Sequence, residues 1–540
     1  MRSSHSKPRA LPALLACGAL LAGCNGAPPS RPKSQVDHPV QTKPDAGAQA
    51  VVTRDSFTPP EQFALMVDRA REESRHVGKP LKRMELPPSL QNLDYEKYIT
   101  IRYRPEKSLW RNEPGHFEVQ FFHVGLHYYE PLKMEVLEHD KLSLIPFNPE
   151  LFSYDGVTPP PADAELGFAG FRIHANLNRA DYRDEFIVFQ GASYYRTVAK
   201  GQIYGLSGRG LAIDTGEPGP EEFPRFTEFV LVRPQANDTF MWVLAFLESP
   251  RVTGAYAFRI QPGDETQIEV TARVFPRSPI KVLGVAPLTS MFLYGEESPP
   301  NRFGGDHPNL KRPEAHDSDS LVSWSGQGEW LVRPLRNPPK TQVSTFRLDS
   351  PRGFGLIQRD RRPESYNDPE YAYERRPSAW IEPLDNWGPG SLRLLEIGTQ
   401  LESDDNIGAM WVPDAIAPEA DGLNLHYRVH IGMGLPTGLG PASQALDTRF
   451  KDLGGGRTRF EVEFAGAALT DANPQHPLEA IVSAHGGKIT SQRVDQDASN
   501  GRAKLTFEVK RDGAGAVDLR AFLRSGPDAS SETWVYLLSD

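Results

Sequence analysis

Alternation of apolar and polar residues is the feature that most constrains the fold of this chain. In the stretch TQIEVTARVF (266–275), apolar residues from Ile268 to Val274 alternate with polar or charged ones. A period of two places successive side chains on opposite faces of a β-strand and does not suit a helix. The 49 Pro and 46 Gly residues supply turn signals between such runs. The sequence therefore predicts an all-β fold, with about twenty short strands before residue 433.

Composition divides the chain into five segments. Residues 1–23 have the basic start and short apolar core of a signal peptide. Residues 24–55 are rich in Pro, Ala and polar residues, which predicts a disordered tether. Residues 56–433 predict a large β-sandwich, and residues 434–445 are a linker in which Gly and Pro cluster. Residues 446–540 alternate again and predict a second all-β unit of immunoglobulin-like size.

A single helix is predicted directly after the tether. Pro59 and Pro60 suit a first helical turn, and apolar residues recur at helical spacing from Phe63 to Ala70. Gly78 ends the pattern.

The end of the signal segment predicts a lipid anchor. Leu21-Ala22-Gly23-Cys24 resembles a bacterial lipobox, which implies cleavage before Cys24 and a lipid on its thiol. The alternative is an ordinary signal peptide that is cleaved nearby. Asn25 after the cysteine favours the outer membrane over the inner one. Cys17 leaves with the signal, so no disulfide is expected.

The charge balance narrows the classes of partner. The net charge is −10 and the sequence pI is about 5.8. An acidic surface repels phosphate backbones, so nucleic acid is not expected as a partner. The same surface has no attraction for anionic lipid, and membrane contact is expected through the N-terminal lipid alone.

The stretch RPEAHDSDSL (312–321) concentrates proton-handling groups. It allows a metal site, a carboxylate for acid/base chemistry, or a solvated turn. His316 with Asp317 or Asp319 could supply metal ligands, but neither an H-x-x-x-H motif nor a Cys pair accompanies them. The D-S-D-S run also lacks the Gly and Glu of a calcium loop. No metal and no cofactor are therefore expected.

A second acidic stretch and an aromatic stretch complete the candidate site. LESDDNIGAMW (401–411) carries Glu402, Asp404 and Asp405 beside Trp411. Glycoside cleavage needs two carboxyl groups flanking one bond, and these can be distant in sequence. Aromatic faces and planar polar groups suit a sugar. Between the acidic stretches, residues 371–388 interleave such groups: Tyr371, Tyr373, Trp380 and Trp387 with Arg375, Arg376, Glu382 and Asp385. Solvated acidic turns and core tryptophans are the alternative interpretation.

Long ordered stretches of the chain resemble a known family. They are densest from residue 166 to 413 and include LGFAGFRIH, GASYYRTVAKGQIYGLSGRGLAIDT, GVAPLTSMFLYGE, RPEAHDSDSL, GFGLIQRDR, YERRPSAWIEP and DDNIGAMWVP. The chain is similar to the periplasmic glucan biosynthesis family MdoG or OpgG, with its paralogue OpgD. This resemblance implies a large N-terminal β-sandwich of the galactose-mutarotase-like kind and a C-terminal immunoglobulin-like domain. It also implies a role in making osmoregulated periplasmic glucans with a β-1,2-linked glucose backbone.

The resemblance assigns roles to particular residues. Relatives that resemble OpgD act as inverting endo-β-1,2-glucanases, which makes Asp405 the general acid and Asp317 the general base, acting through a chain of waters. Tyr373, Arg376 and Glu402 lie where family members contact glucan. The aromatic interpretation of residues 371–388 adds Trp380 and Trp387 as substrate-binding candidates.

Simple electrostatics predicts how the two aspartates are tuned. Asp404 and Glu402, with burial against Trp411, would raise the pKa of the acid at Asp405. Arg312 or His316 would help the base at Asp317 to stay ionised.

This sequence departs from the family pattern at two places. Asp404 replaces the family's Asn before the acid, and residues 434–450 hold no Trp. The sequence therefore leaves two hypotheses: inverting cleavage or transglycosylation of β-1,2-glucan, and non-catalytic glucan binding that assists the membrane glucosyltransferase. A homodimer is a further expectation. The expected location is the periplasm, with a lipid anchor in the outer membrane.

Overall fold

The computed structural model describes residues 59–78, 83–296, 312–416, 422–470 and 475–539. The predicted signal peptide 1–23, the tether 24–55 and the lipidation residue Cys24 lie outside these described residues.

Helices are few and short in the described part of the chain. The α-helices are α1 (Glu61–Ser74), α2 (Tyr95–Tyr98) and α3 (Pro363–Tyr366). Single 3₁₀ turns span Pro88–Leu90, Pro105–Lys107, Pro149–Leu151, Tyr373–Arg375, Ala467–Leu469 and Ala498–Asn500. None of these described helices has the length and apolar character that a membrane crossing requires.

Strands make up most of the ordered backbone. The first half contains β1 (Ile101–Tyr103), β2 (Phe117–His123), β3 (Lys133–Glu138), β4 (Lys141–Leu144), β5 (Phe152–Tyr154), β6 (Phe168–Arg179), β7 (Tyr182–Gln190), β8 (Tyr194–Thr197), β9 (Ser207–Arg209), β10 (Leu211–Ile213), β11 (Arg225–Val232), β12 (Met241–Glu248), β13 (Val252–Gln261), β14 (Thr266–Pro276), β15 (Leu283–Ser290) and β16 (Phe292–Tyr294).

The second half continues the pattern. It contains β17 (Ala315–His316), β18 (Ser320–Trp324), β19 (Trp330–Pro334), β20 (Gln342–Arg347), β21 (Gly353–Ile357), β22 (Ser378–Pro383), β23 (Gly390–Glu396), β24 (Ile407–Pro413), β25 (Leu423–Gly432), β26 (Gln444–Gly454), β27 (Arg457–Ala465), β28 (Leu478–His485), β29 (Gly487–Asp497), β30 (Arg502–Arg511), β31 (Val517–Ser525), β32 (Asp528–Ala529) and β33 (Thr533–Leu538). The all-β prediction is confirmed, and the strand pattern before residue 433 is denser than the expected twenty.

Two large sheets form the main sandwich. The ten-stranded sheet has the order β2-β6-β7-β8-β9-β15-β24-β23-β20, with β10 also paired to β15. The fifteen-stranded sheet has the order β28-β31-β33-β19-β18-β21-β22-β25-β14-β13-β12-β11-β3-β4, with β32 paired to β31. Phe171 on β6 and Phe229 on β11 meet edge to face at 4.9 Å, which joins the two sheets in one aromatic core.

A smaller sheet completes the C-terminal region. Strands β26, β27, β30 and β29 form this four-stranded sheet in that order. Its Phe460 and Phe507 pack against Trp534 of β33, so it forms a second core with one end of the fifteen-stranded sheet. The large sheet enters this region through the parallel pair β19–β33. The described residues between β25 and β26 form no strand, and the predicted linker 434–445 ends inside the first residues of β26.

Helix α1 covers the outer face of the large sheet. Phe63, Met66, Val67 and Ala70 are its buried residues, as the helical spacing predicted. The Thr253 hydroxyl on β13 donates a hydrogen bond to the Ala70 carbonyl at 2.7 Å. The apolar stripe, this hydrogen bond and the ion pair of Arg69 with Glu228 fix the helix on the sheet.

Candidate functional site

Asp317 lies at the end of the two-residue strand β17 and is almost fully buried. Its backbone N–H donates to the Met291 carbonyl at 2.8 Å, which ties it to the start of β16. Its side chain, 4% exposed, accepts a hydrogen bond from Arg376 at 2.5 Å. The hydroxyls of Ser290 and Ser318 bond at 2.9 Å and brace the same junction. A rigid backbone therefore holds this carboxylate.

Asp405 is positioned from the same short strand. Its neighbour Asn406 accepts from the Phe292 N–H at 2.8 Å and donates to the Phe292 carbonyl at 3.0 Å. The Phe292 ring in turn stacks on His316, the residue before Asp317, at 5.3 Å. Residues 291–292 are thus a common anchor that brings together two aspartates 88 positions apart in the sequence.

The two aspartates share one electrostatic environment. Burial raises the pKa of Asp317 above its usual value, and the charge of Asp405 adds to this shift. The Arg376 guanidinium acts in the opposite direction, as does the more distant Arg196. Asp317 and Asp405 are therefore close enough for their charges to interact.

Asp405 itself is paired with a cation and is partly accessible. Arg196 on β8 donates to its Oδ2 at 2.9 Å, and the carboxylate is 19% exposed. Arg196 is steadied by a second bond, from its Nε to the Ser207 hydroxyl at 2.8 Å. A cavity of about 30 Å³, which is large enough to hold water, also touches Asp405.

The neighbours expected to tune Asp405 are engaged elsewhere. Asp404 accepts from the Thr399 hydroxyl at 2.6 Å, and the Trp411 indole donates to the Leu348 carbonyl at 3.2 Å. The group in direct contact with Asp405 in the structure is Arg196. Local sequence proximity suggested carboxylate neighbours, whereas the sheet brings a cation from β8.

Glu402 belongs to a tight network at the edge of the site. Arg312 donates to both of its oxygens, at 2.8 and 2.6 Å, and the Tyr373 hydroxyl donates to Oε1. Burial opposes ionisation of Glu402, but the hydrogen bonds from Arg312 and Tyr373 outweigh it and lower its pKa. Arg312 also binds Asp368 at 2.8 Å. The predicted help of Arg312 to Asp317 is therefore replaced by a role at Glu402.

Arg376 links this network to Asp317. Its guanidinium lies over the Tyr373 ring, 4.4 Å from the centroid, while it donates to Asp317. Gly205 packs against its stem, and a Cβ at that position would lie 3.1 Å from the Arg376 Cβ. Tyr371, which is 41% exposed, stacks on Tyr373 at 6.1 Å and offers an aromatic face at the rim. The structure thus gathers Tyr373, Arg376 and Glu402 beside Asp317.

His316 supports the site from behind. It is fully buried, with Nε2 at 2.9 Å from Glu314 and Nδ1 at 2.8 Å from Gln358. Burial lowers its pKa, but the hydrogen bond and charge of Glu314 prevail and raise it to about 9. A protonated His316 bound on both sides braces the strand and does not contact Asp317 directly through its ring nitrogens.

Three carboxylates behind the site lie close together. Oxygens of Glu296, Glu314 and Asp360 are within 4.8 Å of one another, a spacing that a cation could bridge. Burial and the charge of Glu314 raise the pKa of Glu296 to about 8. Arg362 donates to Asp360 and His316 contacts Glu314, so protein groups already supply positive charge here.

Trp380 does not join the site, and its predicted role in substrate binding is corrected by the structure. Its side chain has no exposed surface and stacks on Trp330 at 5.6 Å in the C-terminal core. Gly353 leaves room for the indole, since a Cβ there would lie 2.2 Å from the ring. A ring without an exposed face cannot stack on a sugar.

Trp387 packs against the main core. It is half-buried and packs on Trp411 at 5.1 Å and Tyr427 at 5.8 Å. Trp411 lies six residues beyond Asp405, about 20 Å along the strand. Trp387 keeps some exposed surface, and its role in substrate binding stays a prediction.

Two residues at the site were missed by the sequence argument. Arg196 lies inside the quoted stretch GASYYRTVAKGQIYGLSGRGLAIDT, and Gln358 lies inside GFGLIQRDR. Their membership of long family-like stretches was the available signal. Their partners are set by strand pairing across the sheet, which residue spacing does not report.

Comparisons with known proteins show the family of the chain. The family model "Periplasmic glucan biosynthesis protein, MdoG" matches residues 62–538. Glucans biosynthesis protein G of Ralstonia nicotianae is 42% identical over 468 residues, covering 84% of this chain and 91% of the relative. Glucans biosynthesis protein G of Rhodopseudomonas palustris is 40% identical, covering 92% and 96%. Probable glucans biosynthesis protein D of Shewanella oneidensis is 39% identical, covering 84% of each chain.

The structure defines an all-β protein in which two aspartates, each bound to its own arginine, are anchored next to β16. The chain belongs to the MdoG family of periplasmic glucan biosynthesis proteins.

Proposed function

We propose that this chain acts in periplasmic glucan biosynthesis by hydrolysing the β-1,2-linked glucose backbone with inversion. Asp405 is the general acid that protonates the leaving oxygen, and Asp317 is the general base that removes a proton from water. The observation that carries the proposal is the shared site of these two aspartates, anchored on residues 291–292 and each paired with its own arginine.

The surroundings support distinct tasks for the two aspartates. Asp405 is partly exposed at the start of β24, where it can reach a bound glycosidic oxygen. Asp317 is buried and faces Arg376, so it reaches an attacking water through intervening waters. Arg376 opposes the rise in the pKa of Asp317 and helps it to stay ionised at neutral pH.

The remaining polar groups suit recognition of a neutral sugar. Glu402 and Arg376 offer a planar acceptor and planar donors along one side of the site, and Tyr373, which has no exposed surface, holds Glu402 through its hydroxyl. The exposed face of Tyr371 can stack on the C–H face of a glucose ring. Glucan binding therefore depends on the network around Glu402, and bond cleavage depends on the two aspartates.

A specific observation favours a second candidate, the non-catalytic glucan-binding factor that assists the membrane glucosyltransferase. Asp405 forms an ion pair with Arg196, and a carboxylate in such a pair is not ready to donate a proton. Cleavage requires that the glucan, or a rearrangement on binding it, separates Arg196 from Asp405. A binding factor needs no such step.

The test uses the purified protein and linear β-1,2-glucan. Wild-type protein should generate new reducing ends, with the α-anomer released first because inversion converts a β linkage. Asp405→Asn should lower this rate by about 10²–10⁴-fold, the usual worth of a general acid. Asp414→Asn is the matched control, since Asp414 lies just after the other end of β24 in a surface ion pair. Binding without new reducing ends would favour the second candidate.

A further inference from the structure

A groove in the C-terminal region lies apart from the two aspartates. Its volume is about 580 Å³, within the range of about 300–1,000 Å³ that is typical of ligand sites. One wall is β20, the edge strand of the ten-stranded sheet, and the floor is formed by β28, β31 and β33. Arg336 closes one end by donating to Gln342 at 3.0 Å and to the Ser539 hydroxyl at 2.9 Å.

Strand register arranges polar side chains in rows across the floor. Ser483 on β28 pairs with Arg520 on β31, and His485 pairs with Asp518. Residues two apart on a strand point to the same face, so these four side chains share one surface. This surface is exposed.

The groove offers hydrogen-bonding groups that the protein does not use. Within the described residues, the side chains of Ser344, Thr345, Ser483, His485 and Asp518 have no hydrogen-bond or ion-pair partner. They combine hydroxyl donors and acceptors with a carboxylate acceptor and an imidazole. A ligand rich in hydroxyl groups suits such a set of donors and acceptors.

The charge and the apolar surface of the groove favour an uncharged ligand. Arg520 is neutralised by Glu329, and Arg333 on the groove lining is neutralised by Glu396 at 3.2 Å. Phe346 and Val343 add apolar surface along the β20 wall. An unpaired cation that would select a phosphate or a sulfate is missing among these described lining residues. A neutral sugar chain, with C–H faces and a rim of hydroxyls, matches this mixture.

The groove lies within reach of a chain bound at Asp405. Ile407 pairs with Glu396, and Glu396 pairs with Gln342, so β20 is two strands away from β24. Two strand spacings sideways and four or five residues along the strand give a separation on the order of 20 Å.

We propose that this groove is a second glucan-binding site, which holds a remote part of the same glucan chain whose linkage lies at Asp405. The inference rests on the proposed function, because it takes a β-linked glucose polymer as the ligand. Long chains would engage both sites at once and gain affinity from the tethering, whereas short chains would reach only the aspartates.

The test compares long linear β-1,2-glucan with a short β-1,2-gluco-oligosaccharide. Ser483→Tyr fills the groove from its floor, and Thr345→Arg obstructs it from the opposite wall. Ser491→Tyr is the matched control, because Ser491 is exposed on β29 outside the groove. Affinity electrophoresis in glucan-containing gels measures binding without requiring cleavage, and each variant is checked for an unchanged melting temperature.

We expect both groove variants to bind long glucan about tenfold more weakly, a loss of about 1.4 kcal/mol. Binding of the short oligosaccharide and the behaviour of Ser491→Tyr should not change. If wild-type protein releases no reducing ends and the groove variants still lose long-chain affinity, the groove stands and the proposed catalysis fails. Unchanged long-chain binding in both folded variants overturns the groove assignment. A groove variant whose molecular mass in light scattering differs from that of the wild type also overturns the assignment, since the groove would then be a contact between copies.

Discussion

Asp317 and Glu402 make nearly the same contact in two different settings. Each accepts from an arginine, Arg376 at 2.5 Å and Arg312 at 2.6 Å. Yet burial and the nearby Asp405 raise the pKa of Asp317, whereas hydrogen bonds overcome burial and lower the pKa of Glu402. The charge of Glu402 therefore stabilises the fold, and the charge of Asp317 is held against the preference of its surroundings. Perturbation of the second kind is typical of functional groups.

The largest effect should come from Asp317→Asn. We expect glucan cleavage to fall by about 10²–10⁴-fold, because the general base is lost. The melting temperature at pH 7 should not fall, because a raised folded-state pKa means that the ionised carboxylate costs stability. Reducing-end assays and thermal melts measure both quantities. A large drop in melting temperature would make Asp317 a structural residue and end the contrast with Glu402.

The aromatic segment between the two acidic stretches gives the next effect. Trp380→Ala should destabilise the protein by about 3–5 kcal/mol, because it empties a fully buried site beside Gly353. Trp380→Phe should cost less and leave glucan affinity unchanged. Denaturant unfolding and glucan binding check this. Loss of glucan affinity in a stable Trp380→Phe protein would show that Trp380 takes part in glucan binding.

Unlike Asp317→Asn, Glu402→Gln should lower the stability of the protein. We expect a loss of about 1.5–3 kcal/mol at pH 7, the worth of hydrogen bonds to a charged group. A lowered folded-state pKa means that this contribution is present above the usual glutamate value of 4.5 and is lost as the pH falls through the folded pKa. The difference between wild type and Glu402→Gln should therefore shrink in acid. Melts from pH 7 to pH 3 test this, and a constant difference would contradict it.

The smallest effect should come from Asp404→Asn, which restores the residue that the family resemblance expects before the acid. Asp404 accepts from the Thr399 hydroxyl, and an Asn oxygen can do the same. Stability should change by about 0.5 kcal/mol or less. Glucan cleavage should stay within about twofold, since less than 0.5 kcal/mol is at stake. A rate change as large as that of Asp405→Asn would move the acid role to Asp404.

Local patterns in the sequence predicted local structure well. The alternation in 266–275 became β14, and the apolar spacing from Phe63 to Ala70 became the buried face of α1. Periodicity does not say which strands pair. The parallel β19–β33 contact, which joins the two regions, and the arrival of Arg196 beside Asp405 both depend on long-range pairing.

The aromatic residues also show that the local sequence does not report long-range packing. Trp380 lies in SAWIEP, and both its hydrophobicity and its neighbours suit a core position as well as a sugar platform. Trp380 is buried between Trp330 and Gly353 and is therefore a core residue. This burial depends on how the sheets pack, which the local sequence does not report. The resemblance supplied the pairing of Asp317 with Asp405, which residue spacing alone would not have selected from 70 acidic residues.

A crystal structure of Asp405→Asn with a bound β-1,2-gluco-oligosaccharide tests the central claim most directly. We expect one glycosidic oxygen within hydrogen-bonding distance of residue 405, Arg196 moved away, and the Asp317 carboxylate on the opposite side of the adjacent anomeric carbon. An oligosaccharide bound with neither aspartate near a glycosidic linkage would contradict the account.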